Sequence, residues 1–342
     1  MKIYFIFEFT NKPKGGVFQF TKALMNYLDG LGCVTNDPKE ADIFFMSAFQ
    51  YADKIIKLKK EYPNKIFIHR IDGPIRLYNR INDRRDLVVN KLNEMIADGT
   101  IFQSNWSKEK NINMGLVSTK YESTILNAPN PNIFNTIDKK QFVITNKIRL
   151  IATSWSSNWK KGFDVYKWMD ENLDFTKYDM TFIGNSPIVF KNIIQKEPMD
   201  SESIADELKQ HDIFITASKS DPCSNSLIEA MHCGLPSLGL NDGGHPEIIR
   251  LGGKVFNNQN DIPHMLDDLV DNYEYYKSNI SPPSIDDVGQ LYFQFFTAVF
   301  DDYCKNLNIA KSINLSKTLL LKLSILLWKL EEKTYILKKV FK

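Results

Sequence analysis

Two carboxylates, Asp221 and Glu229, stand eight positions apart in a stretch of small polar residues. The stretch reads Ser218-Lys219-Ser220-Asp221-Pro222-Cys223-Ser224-Asn225-Ser226-Leu227-Ile228-Glu229-Ala230-Met231-His232-Cys233-Gly234-Leu235-Pro236, and closes with Gly243-Gly244-His245-Pro246-Glu247. Acids in such a setting can hold hydroxyl groups. Between them, Cys223, Ser224, Asn225 and Ser226 fall where a helix would begin. Free N–H groups and about half a positive charge make a helix start a ready anion site.

The neighbouring elements must position these groups. Asp212-Ile213-Phe214-Ile215-Thr216-Ala217 reads as a buried parallel strand. A turn follows at Asp221-Pro222. Ser224 and Ser226 can cap a helix running to about Cys233, with Gly234 at C′ and Pro236 just beyond. The loop therefore lies at the carboxyl end of a parallel strand, where ligands of open α/β sheets bind. Asp221 in the loop and Glu229 in the helix should project at different levels, so one extended ligand could meet both. A nucleotide sugar has that shape: sugar hydroxyls, a diphosphate, then ribose hydroxyls.

This stretch resembles the donor-site motif of the retaining glycosyltransferases of family 4 (glycosyl transferases group 1), which have the GT-B fold. That motif is two acids with seven residues between, then Ala-Met-x-x-Gly-x-Pro and Gly-Gly-x-Pro-Glu. Here Asp221 stands where Glu is usual, and the rest follows from Glu229 to Glu247. The resemblance implies that Asp221 holds sugar hydroxyls, that Cys223, Ser224, Asn225 and Ser226 hold phosphate or sugar, and that Glu229 holds ribose. It extends to Thr153-Ser154-Trp155-Ser156-Ser157-Asn158-Trp159-Lys160-Lys161-Gly162. The family has Gly-Arg, a short loop, then Lys-Gly. Lys161-Gly162 matches the second part, whereas Trp155 stands where the Arg is expected. Lys161 would neutralise the leaving diphosphate, with Ser156 and Asn158 as further donors. Fixed cations and N–H dipoles meet that need without a metal. Gly184-Asn185, ending the strand Thr181-Phe182-Ile183, would let the base lie against the backbone.

The first half repeats the pattern of strand, turn and helix. Met1–Phe9 reads as a buried strand, followed by a turn containing Gly15 and Gly16 and a helix from about Val17 to Leu28. In the family a Gly-Gly turn here lies near the donor phosphate. Apolar runs at 42–46, 65–68, 100–102 and 123–126 read as strands, with helices at 51–60, 84–96 and 105–114 between them. His69 and Asp72, at the end of one such strand, should line the interdomain mouth and could take an acceptor's proton. Arg76, Arg80, Arg84 and Arg85 suit either an anionic acceptor or a solvated helix face.

At 342 residues two domains are expected. A net charge of +2 favours no nucleic-acid partner. The four cysteines show no metal-like spacing, so reduced thiols and a cytoplasmic protein are expected. No apolar run reaches the ~18 residues of a membrane span. The tail, 315–342, mixes leucines and a tryptophan with lysines; Lys322, Lys329 and Lys333 share one helical stripe. That suits the inner face of a membrane, and equally suits packing on protein.

The expected architecture is α/β, GT-B type: two Rossmann-like, doubly wound parallel-sheet domains facing across a cleft. Residues 1–135 form the acceptor-side domain and 136–280 the nucleotide-sugar domain, with 134–147 as the linker between them. A helix in 281–310 crosses back, and 311–342 is a basic amphipathic helix. The expected activity is retaining transfer of a hexose from a nucleotide sugar to a glycan or lipid-linked acceptor, in cell-surface glycan or glycolipid synthesis, with no metal or other cofactor. The alternatives are a non-catalytic nucleotide-sugar-binding scaffold and a GT-B epimerase. A hydrolase fits less well, because its two carboxyls must flank one bond roughly 5–10 Å apart.

Overall fold

The computed structural model describes residues 1–8, 16–144, 146–307 and 309–340. The chain divides into two compact units. One comprises Met1–Thr10, Leu24–Leu126 and Val288–Lys342; the other comprises Asn11–Ala23 and Asn127–Asp287.

The first half of the chain forms β1 (Ile3–Phe5), α1 (Gly16–Gly30), β2 (Ile43–Ser47), α2 (Ala52–Glu61), β3 (Ile66–Ile71), α3 (Ile75–Tyr78), α4 (Arg85–Met95), β4 (Gly99–Phe102), α5 (Asn105–Asn113) and β5 (Tyr121–Thr124). All pairs among these strands, the sheet of the first unit, are parallel, in the order β1-β2-β3-β4-β5. A single parallel bridge, Ile3 to Val34, adds a rudimentary strand outside β1. The chain thus runs outward from β1 to Val34 and then back across β1 to β2. This reversal makes the sheet doubly wound.

Every residue of β2 is buried. Phe44 and Met46 join the cluster containing Ile55, Leu92, Leu321 and Ile325. Phe45 turns the other way, edge-on to Tyr292 and Phe296. Alternation within a strand covered on both faces gives a continuous apolar run, which is why Ile-Phe-Phe-Met is legible as a strand.

The second unit continues with β6 (Ile148–Ser154), α6 (Phe163–Asn172), β7 (Tyr178–Gly184), β8 (Ile194–Lys196), α7 (Ser201–Gln210), β9 (Ile213–Thr216), α8 (Asn225–His232), β10 (Ser237–Leu240), α9 (His245–Ile249), β11 (Gly253–Phe256), α10 (Ile262–Asp271) and α11 (Tyr273–Ser278). Its six parallel strands lie in the order β11-β10-β9-β6-β7-β8. The strand order reverses between β6 and β9, so the crevice for a ligand opens at their carboxyl ends. Phe163, Tyr166 and Phe182 pack ring to ring beneath it.

Two helices complete the chain, α12 (Ile285–Cys304) and α13 (Leu315–Val340). Among the described residues no helix is long and apolar enough to cross a membrane. Near the end of the second unit α10 and α11 are separated at Asn272, which ends one, with Tyr273 starting the next. The polar stretch before β6 is not simply solvated, since Phe142 stacks on Tyr273 with centroids 3.9 Å apart.

Candidate functional site

The loops that leave β6 and β9 meet at the reversal point of the second sheet. After Ser154 the chain passes Trp155, which is 54% exposed, and enters a 3-10 turn at Trp159–Lys161. The Asn158 side chain caps this turn by accepting from the Lys160 N–H at 3.0 Å. The Ser156 hydroxyl accepts from the Asn158 N–H at 3.2 Å. Both residues were expected as donors to a diphosphate. In this structure their side chains shape the loop that presents Lys161.

Lys161 reaches across to the β9 loop, and its Nζ lies 2.9 Å from Asp221 Oδ2. Burial by itself would raise the Asp221 carboxyl. The Lys161 ammonium beside it, with the Cys223 N–H, holds it below the usual carboxylate range. Asp221 is therefore fully ionised at neutral pH, and two of the residues singled out for chemistry form one pair.

Asp221 is fixed from behind by the Gly-Gly turn. The Gly244 N–H donates to the Asp221 carbonyl at 2.9 Å. Gly243 has φ +64°, and a Cβ there would lie 2.2 Å from that carbonyl oxygen. Left-handed backbone and close approach both demand glycine. Gly243→Ala is expected to cost about 2 kcal/mol, read as a Tm lower by a few degrees. An unchanged melting curve would show that the turn does not hold Asp221.

Sequence reasoning gave no role to Asp242 or His245. Asp242 accepts from the Ser220 N–H at 2.8 Å and from the Gly243 N–H at 2.7 Å, tying the two turns together. An acid directly before Gly-Gly is itself a turn signal. His245 is fully buried and its Nδ1 lies 3.0 Å from the Leu240 carbonyl. Burial outweighs the nearby Asp221 charge and pushes its pKa down, so it sits neutral under the loop.

Helix α8 starts at the site. Ser224 is its N-cap by position, but no side chain caps it, and the Ser224 hydroxyl lies 3.3 Å from that of Ser226. The first-turn N–H groups remain available to a ligand. One turn further on stands Glu229, whose carboxylate has no hydrogen-bond partner among the described residues. Burial pushes its pKa up to about 7.

Glu229, Asn225, Gly16, Gln19, Asn130 and Ser201 line one small cavity. Asn225 is oriented by Asn127, whose Nδ2 donates to its Oδ1 at 2.9 Å. Gly16 lies against the Asn225 side chain. Gly15 lies outside the described residues. Cys223 is buried, and its Sγ accepts from the Asn127 N–H at 3.5 Å.

Gly184 ends β7 with φ +125°, and a Cβ there would lie 1.9 Å from the Ser154 carbonyl oxygen. The expected reason for this glycine was approach of a base. The structure supplies another, the approach of two strand ends. Asn185 fastens the same corner, donating from Nδ2 to the Trp155 carbonyl at 2.7 Å.

The first-unit candidates are placed differently. His69 was expected to line an open mouth, but it lies inside β3 and is fully buried. Its ring nitrogens meet the Asn93 Oδ1 at 3.2 Å and the Ala48 carbonyl at 2.8 Å. Burial pushes its pKa down to about 4. With both nitrogens engaged, it cannot collect a substrate proton. Asp72 follows β3, and its Oδ1 accepts from buried Arg70 at 3.0 Å and from Gln103. The arginine run is neither a free anion site nor a bare solvated face. Arg76 pairs with Asp86, Arg85 with Asp83, Arg80 with Asp83 and Glu332, and Arg84 with Glu331.

Residues 191–280 match the family model described as glycosyl transferases group 1. That span contains β9, α8, Asp221, Glu229 and the Gly-Gly turn. Solved structures with the same architecture include HepE from Anabaena in complex with UDP-glucose, at 14% identity, covering 90% of this chain and 99% of that one, TM-score 0.62. Sucrose-phosphate synthase from Thermosynechococcus elongatus matches at 14% identity over 82% of this chain and 78% of its own, TM-score 0.60. The catalytic domain of starch synthase IV from Arabidopsis thaliana, bound to ADP and acarbose, matches at 11% over 84% and 79%, TM-score 0.59. No curated protein sequence matches the chain. The fold, two parallel-sheet α/β domains, is GT-B.

Proposed function

We propose that the chain transfers a sugar, a hexose, from a nucleotide-diphosphate sugar to an acceptor hydroxyl, with retention at the anomeric carbon. The acceptor is a growing cell-surface glycan or a glycolipid. The observation that carries this reading is the Lys161–Asp221 pair, 2.9 Å apart, beside the uncapped start of α8 at the sheet's reversal point.

The chemistry follows from charge. A diphosphate entering the crevice draws the Lys161 ammonium from Asp221. Asp221, ionised and freed, accepts hydrogen bonds from sugar hydroxyls. The N–H groups at 224–226 take phosphate oxygens, and Glu229 takes the ribose hydroxyls. As the glycosidic bond breaks, negative charge gathers on the diphosphate, where the fixed cation and the helix start stabilise it. The departing phosphate oxygen can accept the incoming hydroxyl's proton on the same face, so no enzyme nucleophile is assigned. Asp72 is tied to Arg70 and Gln103, and no proton transfer is assigned to it.

Calorimetry against UDP, GDP and ADP tests this reading, with Glu229→Ala beside the native protein. One nucleotide is expected to bind, at least tenfold more weakly in the variant. If well-folded protein binds none, the donor site is wrong. Binding without turnover on any acceptor would favour a scaffold, the reading that Trp155 in the place of a basic residue keeps open.

A further inference from the structure

We propose that the outward face of α13 docks on an anionic phospholipid surface. The helix carries two apolar stripes, and only one is used by the fold. Leu321 and Ile325 are buried against α2 and α4, and Trp328 packs edge-on to Phe49. On the opposite side Leu319, Leu323, Leu326, Leu330 and Leu337 are exposed, each by about half its surface. They recur at steps of 4, 3, 4 and 7, one continuous line along the helix.

Charge decides what covers this line. The acids of α13 are Glu331 and Glu332, and both turn to the protein, where they pair with Arg84 and Arg80. The outward face is left with leucine, lysine and the small hydroxyl residues Ser316 and Thr334. Lys322 and Lys329 border the stripe on one side and Lys333 interrupts it; Lys329 also reaches Asp53 at 2.6 Å. A second copy of the helix fits poorly. Lys333 falls in the 3–4 line of the leucines themselves, and the flanking Lys322 and Lys329 would meet no acid on a twin helix. An apolar stripe bordered by lysines, with both acids of its own helix turned away, is instead complementary to anionic headgroups over acyl chains. Such docking would hold the protein where lipid-linked acceptors are, and it stands independently of the donor site.

Flotation of the full chain with vesicles tests the proposal, comparing phosphatidylglycerol mixed into phosphatidylcholine with phosphatidylcholine alone. The native protein is expected to float with the anionic vesicles and to be released by raised salt. The double substitution Leu323→Glu with Leu326→Glu lies on the exposed stripe, so it should leave the melting curve unchanged and abolish flotation. Each of Lys322→Gln and Lys333→Gln should weaken binding by roughly fivefold. Native protein that ignores anionic vesicles overturns the proposal, as does a Leu323→Glu/Leu326→Glu variant that still floats. So does a native dimer that this variant dissolves, which would place a second copy on the stripe.

Discussion

Lys161→Ala is expected to lower kcat by about 10²- to 10³-fold, the usual effect of removing one fixed group that stabilises developing negative charge. The reason lies in the pair it forms. Lys161 is the cation held 2.9 Å from Asp221, and no other lysine or arginine pairs with that acid among the described residues. Its removal takes away both the cation that would meet the diphosphate and the charge that holds the Asp221 carboxyl below its usual range. KM should change much less than kcat, because the α8 N–H groups and Glu229 still bind the ground-state nucleotide. The side chain is 36% exposed, so the fold should survive. Steady-state release of nucleoside diphosphate, with a melting curve as control, provides the measurement. A change in kcat of less than about threefold would make Lys161 an ordinary surface lysine at the start of a helix.

Nucleotide affinity should rise roughly tenfold between pH 6 and pH 8, because only ionised Glu229 can accept two ribose hydroxyls and its carboxyl titrates near 7. Binding should release a proton near neutrality. In Glu229→Gln the rise should vanish, apart from any contribution of the phosphate's own titration, which both proteins share. The unliganded protein should show the matching effect on stability. A carboxyl whose folded pKa is raised from 4.5 to about 7 stabilises the fold at low pH, and that contribution is lost as pH climbs through 7. Glu229→Gln should therefore lose less stability than the native protein over this range. Parallel pH profiles for the two proteins, in binding and in melting, would contradict the assigned environment of Glu229.

Much of the second unit was legible because its signals are local. The apolar run at 213–216 is β9, Gly234 stops α8 with φ +79°, and the Gly-Gly turn lies where the motif put it. What escaped was mostly long-range. Arg80 and Arg84 looked like free cations because their partners, Glu332 and Glu331, lie about 250 residues away in sequence. His69 looked like a loop residue because the apolar run before it stops at Ile68. The strand continues through His-Arg-Ile, with His69 held between Asn93 and Ala48 and Arg70 paired with Asp72. The strand position at Val34 is one bridge long, too short for any periodicity to reveal. Ser156 and Asn158 were recognised as loop donors, but residue type alone does not reveal that their oxygens also accept from the loop's own backbone N–H groups.

The most direct test is the crystal structure of the protein with whichever nucleoside diphosphate binds. The diphosphate is expected against Lys161 and the first-turn N–H groups of α8, with the ribose at Glu229 and Asp221 released toward the sugar position. A nucleotide bound elsewhere, or one whose diphosphate leaves the Lys161–Asp221 pair intact, would contradict it.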